Sequence, residues 1–161
     1  MARPYRAVKA DPIETQFGAN HTRAARWAMI VLDASVVVEL LTNGVFADGL
    51  RHDLAANPGS VIAPHLLDVE VVSALRSLHA GRRIDTHDSQ QYLKALAALP
   101  VERVIHIPLI PRIWELRHNF TAYDASYIAL AEATDAVLFT MDTKLRTGHR
   151  AKIKLFSTRI N

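Results

Sequence analysis

Short runs of consecutive apolar residues alternate along this chain with longer stretches of helical period. Met29-Ile-Val-Leu32 is an unbroken apolar run ending at Asp33, the pattern of a strand buried on both faces of a parallel sheet. Ala34 to Leu41 reads as a helix with Asp33 at its entrance, broken by Thr42-Asn-Gly44. A second helix is expected over Val45 to Ala56, ended by Asn57-Pro-Gly59. Ser60 to Ala63 is a short strand. Pro64 is expected to open a helix that runs to about His79 and stops at Gly81, with Leu67, Val71, Leu75 and Leu78 as its core stripe. Thr86 to Leu99 is another helix, with Thr86 as cap and Pro100 as stop. Val104 to Ile107 reads as a strand and Pro111 to Arg117 as a helix. The most apolar stretch, Thr121 to Leu145, reads as a helix, a turn, a buried strand at Ala136-Val-Leu-Phe139 and a polar elbow. Lys152 to Phe156 is expected to add an edge strand. Strands alternating with helices predict an α/β domain with a central, mainly parallel sheet covered on both faces.

Residues 1–28 show no clear apolar period and are expected to lie outside the fold as an extension, with a short helix near Thr22 to Trp27. Residues 29–161 then form a single domain. Met29 opens the first strand and is a candidate translation start; peptides from 1–28 in the native protein would exclude that.

Composition narrows the class. At 161 residues, half of them hydrophobic, the chain suits one compact domain with a sizeable core. No apolar run approaches a membrane span, and no signal-peptide pattern is read at the N-terminus. The absence of cysteine excludes disulfides and thiolate metal sites, and fits a cytoplasmic protein. The net charge of +3 is unevenly spread. Arg3, Arg6, Lys9, Arg23 and Arg26 outweigh Asp11 and Glu14 at the N-terminus, and the rest is formally neutral. After Asp142 every charged residue is basic, beginning with Lys144 and Arg146. A basic end beside acids suits a polyanion whose phosphates also meet metal ions, although a solvated surface gives the same pattern.

Four acids carry the candidate chemistry. Asp33 and Asp142 fall just past the carboxyl ends of strands, where ligands of open α/β sheets bind. Glu70 and Asp124 fall near helix beginnings, which lie on the same edge. Glu70 shares a helix flank with Ser73, Ala74 and Ser77, small residues that leave room for a ligand. Each acid also has a plain structural reading. Asp33 and Asp142 serve as helix N-caps, Asp124 completes a capping box with Thr121, and Glu70 is a first-turn acid. Gathered together, however, carboxylates repel and rise in pKa unless a cation holds them, and oxygen-only ligands favour Mg²⁺ or Mn²⁺ over zinc. The sequence contains no HExxH, no GxGxxG, no P-loop and no GxSxG elbow, which argues against the corresponding zinc, nucleotide and serine chemistries. Tyr123 and Tyr127, at helical spacing in an apolar segment, read as core rather than site.

The segments VLDAS at Val31–Ser35, PHLLDVEVVSALR around Glu70, TAYDASYIALAEA around Asp124 and LFTMD ending at Asp142 together resemble a PIN domain. More narrowly, they are similar to the VapC toxins of bacterial toxin–antitoxin pairs, over about Met29 to Phe156. The resemblance implies a PIN-like three-layer α/β/α fold and a Mg²⁺- or Mn²⁺-dependent ribonuclease. It implies that Asp33, Glu70, Asp124 and Asp142 form the catalytic, metal-binding quartet, with Ser35 and Thr140 as supporting hydroxyls that orient a carboxylate or a metal-bound water. RNA cleavage leaving a 5′-phosphate and a 3′-hydroxyl is expected, with Lys144 and Arg146 as phosphate contacts. The implied partners are a VapB-like antitoxin, for which Val36–Leu41 and Val45–Leu54 are candidate docking helices, and a second copy of the chain in a homodimer. Two other functions fit the same residues, a housekeeping PIN nuclease in RNA processing and a non-enzymatic module whose acids bind a structural cation or a protein. Growth arrest relieved by a neighbouring small gene separates the first from a toxin, and metal-dependent turnover excludes the second.

Overall fold

The apolar runs become strands because a parallel sheet covered on both faces has no solvent side to accommodate polar alternation. A computed structural model of the protein describes residues 29–57 and 59–157. The strands are β1 (Ile30–Leu32), β2 (Val61–Pro64), β3 (Glu102–Val104), β4 (Val137–Thr140) and β5 (Lys152–Leu155). They form one five-stranded sheet in the order β3-β2-β1-β4-β5, each neighbouring pair parallel. Between them run the helices α1 (Ala34–Leu41), α2 (Ala47–Ala56), α3 (Leu66–Ala80), α4 (Thr86–Ala98), α5 (Ile110–Glu115) and α6 (Ala122–Thr134). The result is a three-layer α/β/α domain, as the alternation of patterns predicts. The proposed extension over 1–28 and its short helix lie outside the described residues. Among the described residues no helix is long and apolar enough to cross a membrane.

The core is centred on β1, whose three residues are all buried, and on α6, which is buried without interruption from Ala125 to Ala131. A helix buried nearly all round belongs in the interior; this one packs on β1, β2 and β4. Leu67, Val71 and Leu75 of α3 are buried, with Leu78 packed against them. The outer strand β5 alternates Lys152-Ile-Lys-Leu155, and lysines on an edge oppose pairing with another sheet. Lys154 also pairs with Asp53 at 2.7 Å and stands over the rings of Phe139 and Phe156.

Several boundaries differ from the sequence expectation. The third strand is Glu102–Val104 rather than Val104–Ile107, and Ile105 and Ile107 are exposed. Arg103 fixes that register. Its guanidinium donates to the carbonyls of Leu96, Leu99 and Val101 and to the Asp68 carboxylate, so a charged residue occupies a position that apolar counting passes over. The helix expected from Pro111 is preceded and followed by 3₁₀ turns, at Ile107–Leu109 and Leu116–His118. Pro64 closes β2 instead of opening a helix, and α3 starts at Leu66. The second helix begins at Ala47, not Val45. The cap of α4 is Asp85 rather than Thr86. Asp85 accepts from the Asp88 N–H at 2.7 Å while its own N–H donates to Asp88, a reciprocal box in which a carboxylate outcompetes a hydroxyl. At the break after α1, Asn43 takes the left-handed conformation with φ 52°, which Asn tolerates better than most residues.

Candidate active site

In this sheet the strand order changes direction at β1, which has β2 on one side and β4 on the other. The crevice at such a switch point opens at the carboxyl ends of the strands. Leu32 lies in register with Phe139, and the Asp33 N–H donates to the Phe139 carbonyl at 3.1 Å. The pairing sets Asp33 directly beside the segment Thr140–Asp142.

Asp33 occupies the N-cap position of α1, yet its side chain makes no cap bond. Its Oδ2 instead accepts from the Thr140 hydroxyl at 2.6 Å and the Ser35 hydroxyl at 2.8 Å. A hydroxyl has one proton to give and lone pairs to spare, and both are used. Thr140 Oγ1 accepts from the Asp142 N–H and Ser35 Oγ from the Met141 N–H, each at 3.0 Å. The backbone therefore orients both hydroxyls, and they in turn fix the carboxylate. Asp33 is only 9% exposed. Burial raises its carboxyl pKa, outweighing the bonds from Thr140, Ser35 and nearby backbone N–H groups that lower it.

Glu70 lies in the second turn of α3. The first-turn acid is Asp68, and Glu70 lies two residues beyond it. Glu70 Oε2 accepts from the Tyr127 hydroxyl at 2.6 Å. Burial raises the Glu70 pKa, the Tyr127 bond lowers it, and the charges of Asp33 and Asp124 raise it again. Asp33, Glu70 and Asp124 thus share one electrostatic field. Asp124 stands in the first turn of α6. Its N–H donates to Thr121 Oγ1 at 3.1 Å, and that hydroxyl donates to Asp124 Oδ2 at 2.8 Å. Asp142 Oδ1 accepts from the Lys144 N–H at 2.8 Å, capping the 3₁₀ turn Thr143–Arg146 that carries exposed Lys144 and Arg146. The capping reading of Asp142 is therefore realised; at Asp124 only the Thr121 half of the expected box forms, and Asp33 makes no cap bond.

All donors at this edge are carboxylate and hydroxyl oxygens, the set preferred by a hard divalent cation. Among the described residues no three His, Asp or Glu side chains have the spacing of a ready-made metal centre. The fit rests on donor type and on the mutual repulsion felt at Glu70, which a cation relieves. Tyr127 is the contributor that sequence reasoning assigns only to the core. It is 1% exposed, and the rule that a buried phenol needs a polar partner is the signal that could have found it.

The fold and the acidic edge define a class. Residues 30–148 match the family model described as PIN domain. Ribonuclease VapC9 of Mycobacterium tuberculosis is 42% identical over 124 residues, covering 77% of this chain and 94% of that protein. Ribonuclease VapC1 of the same species is 40% identical over 132 residues, covering 78% and 96%. A chain in the crystal structure of VapBC2 from Rickettsia felis bound to a DNA fragment from their promoter shares the fold. Its TM-score is 0.61 at 14% identity, covering 79% of this chain and 98% of that one. The protein is a PIN-domain member of the VapC ribonuclease family.

Proposed function

We propose that this protein is a divalent-metal-dependent endoribonuclease and the toxin of a VapBC-like toxin–antitoxin pair. The observation that carries the reading is the Asp33 carboxylate, buried at a sheet switch point and held by the Ser35 and Thr140 hydroxyls, in a chain 42% identical to Ribonuclease VapC9. Asp33 and Asp142 would hold Mg²⁺ or Mn²⁺ directly, joined by Asp124, with Glu70 as ligand or water-positioning acid. Bound there, the cation supplies a water of lowered pKa and charge neutralisation at the scissile phosphate. Ser35 and Thr140 keep the Asp33 carboxylate in one orientation, so little side-chain freedom is lost on binding.

The direct test is cleavage of total cellular RNA by purified, antitoxin-free protein. Discrete fragments are expected with Mg²⁺ or Mn²⁺ and none with chelator; metal-independent cleavage, or none under any metal, would refute the reading. Lys144 and Arg146, exposed beside Asp142, are assigned to substrate phosphates. If each neutralises one phosphate, replacing both with Ala should flatten the slope of log K against log salt for single-stranded RNA by about 1.4. An unchanged slope removes them from the interface. We assign the protein's action to the cytoplasm, in keeping with an RNA substrate. The antitoxin docks along α1 and α2, and co-purification with the product of an adjacent small open reading frame checks this. Light scattering of the purified toxin checks the homodimer.

A further inference from the structure

We propose that Tyr127 is a positioning residue for Glu70, its buried hydroxyl holding that carboxylate toward Asp33 and Asp124 in readiness for a shared divalent cation. The inference rests on the metal-site reading above and extends it to a residue outside the acidic quartet. Tyr127 lies in the run of α6 that is buried without a break, where small and aliphatic side chains otherwise fill the space. A phenol in such a place must find a partner for its O–H. It reaches across to α3, 57 positions earlier in the chain, and donates to Glu70 Oε2 at 2.6 Å. That length is typical of a charge-assisted bond to a carboxylate.

Three features separate this bond from ordinary core satisfaction. First, Tyr127 follows Asp124 by three residues on α6, the spacing that puts two side chains on one face, so a single helix presents both the acid and the donor. Second, Glu70 is only part-buried and is repelled by Asp33 and Asp124. A long glutamate side chain under that repulsion would swing toward water unless something held it, and Tyr127 is the side chain that does. Third, the bond is made to Oε2 and leaves Oε1 for a cation.

The test uses full-length, antitoxin-free protein and titrates Mn²⁺ calorimetrically without RNA. Tyr127→Phe keeps the ring and removes the oxygen, so an unchanged far-ultraviolet circular dichroism spectrum is expected. Mn²⁺ should bind roughly tenfold more weakly, with a similar drop in cleavage rate, the usual cost of losing a hydrogen bond that orients a metal ligand. Adding Tyr127→Phe to Glu70→Ala should cost less than about twofold further, because the hydroxyl then has nothing to position. The same tenfold loss in the Glu70→Ala background would assign Tyr127 to general packing and overturn the proposal. Wild-type affinity in Tyr127→Phe would overturn it too, while leaving the metal site standing. A wild type that binds no Mn²⁺ would remove the site and the proposal together.

Discussion

Asp33→Asn is expected to lower metal-dependent RNA cleavage by at least about a hundredfold while leaving the metal-free protein as heat-stable as the wild type or more so. The activity loss follows from the proposal that Asp33 holds the cation directly, since loss of an orienting partner alone commonly costs ten- to a hundredfold. The stability gain follows from burial. The folded pKa of Asp33 lies above its ordinary value of 3.8, so between those two values the folded chain holds more protons than the unfolded one. This contribution to stability is present below the unfolded pKa and is lost as pH rises through the folded pKa. At neutral pH the ionised carboxylate works against the fold, and an amide of the same shape escapes that cost. It still offers an oxygen to the Ser35 and Thr140 hydroxyls. Divalent cation should separate the two proteins. Mn²⁺ at a hundred times its dissociation constant stabilises a one-site protein by about 2.7 kcal/mol, and the wild type should show this where Asp33→Asn does not. Melting curves with and without Mn²⁺, run beside cleavage assays, check both halves. An Asn variant that cleaves normally would dismiss Asp33 as a ligand, and one that melts far earlier would dismiss the burial argument.

Arg103→Ala should be the most damaging single change to the fold outside the apolar core, at about 2–3 kcal/mol. The ion pair with Asp68 is partly exposed, with side-chain accessibilities of 21% and 43%, and contributes the smaller share. The larger share comes from the carbonyls of Leu96, Leu99 and Val101. The first two lie in the last turn and at the C-cap of α4, where the Leu99 and Val101 N–H groups each donate once and the guanidinium supplies a second donor. Removing the guanidinium takes three charge-assisted bonds from a part-buried place, and each such loss costs about 1 kcal/mol. For a domain of this size the melting temperature should fall by about 10 °C. Arg103→Lys should recover little, because one ammonium cannot span the positions a planar fork reaches. A melting point within two or three degrees of the wild type in Arg103→Ala would show that water replaces the guanidinium without penalty.

Arg103 also marks the limit of what the sequence could reveal about the fold. β1 and β4 were legible because both faces are covered and the apolar run is continuous. Lys152–Leu155 was legible as an edge from its position after the elbow and its short length. β3 was not, since its register is fixed by polar bonds to α3 and α4 that no periodicity reports, and the apolar run beside it is exposed. At the site, Asp33 could be placed at a strand end from sequence, and so could Asp142. That Asp33 would accept from the Thr140 hydroxyl depended on the pairing of β1 with β4, which sequence order alone does not specify. Tyr127 was hidden by its own environment. Its neighbours on α6 are core residues, and only the position of α3 shows which polar group lies opposite.

Asp33 and the hydroxyl that holds it, on Thr140, are 107 positions apart, and β1 has an open flank until β4 is added. During synthesis the acids therefore emerge from the ribosome well before the arrangement that makes them useful. A nascent chain ending short of Thr140 carries Asp33, Glu70 and Asp124 without the sheet that gathers them. The acidic edge is completed only once β4 has paired with β1. A ribosome-bound chain that stops short of Thr140 is therefore expected to cut no RNA.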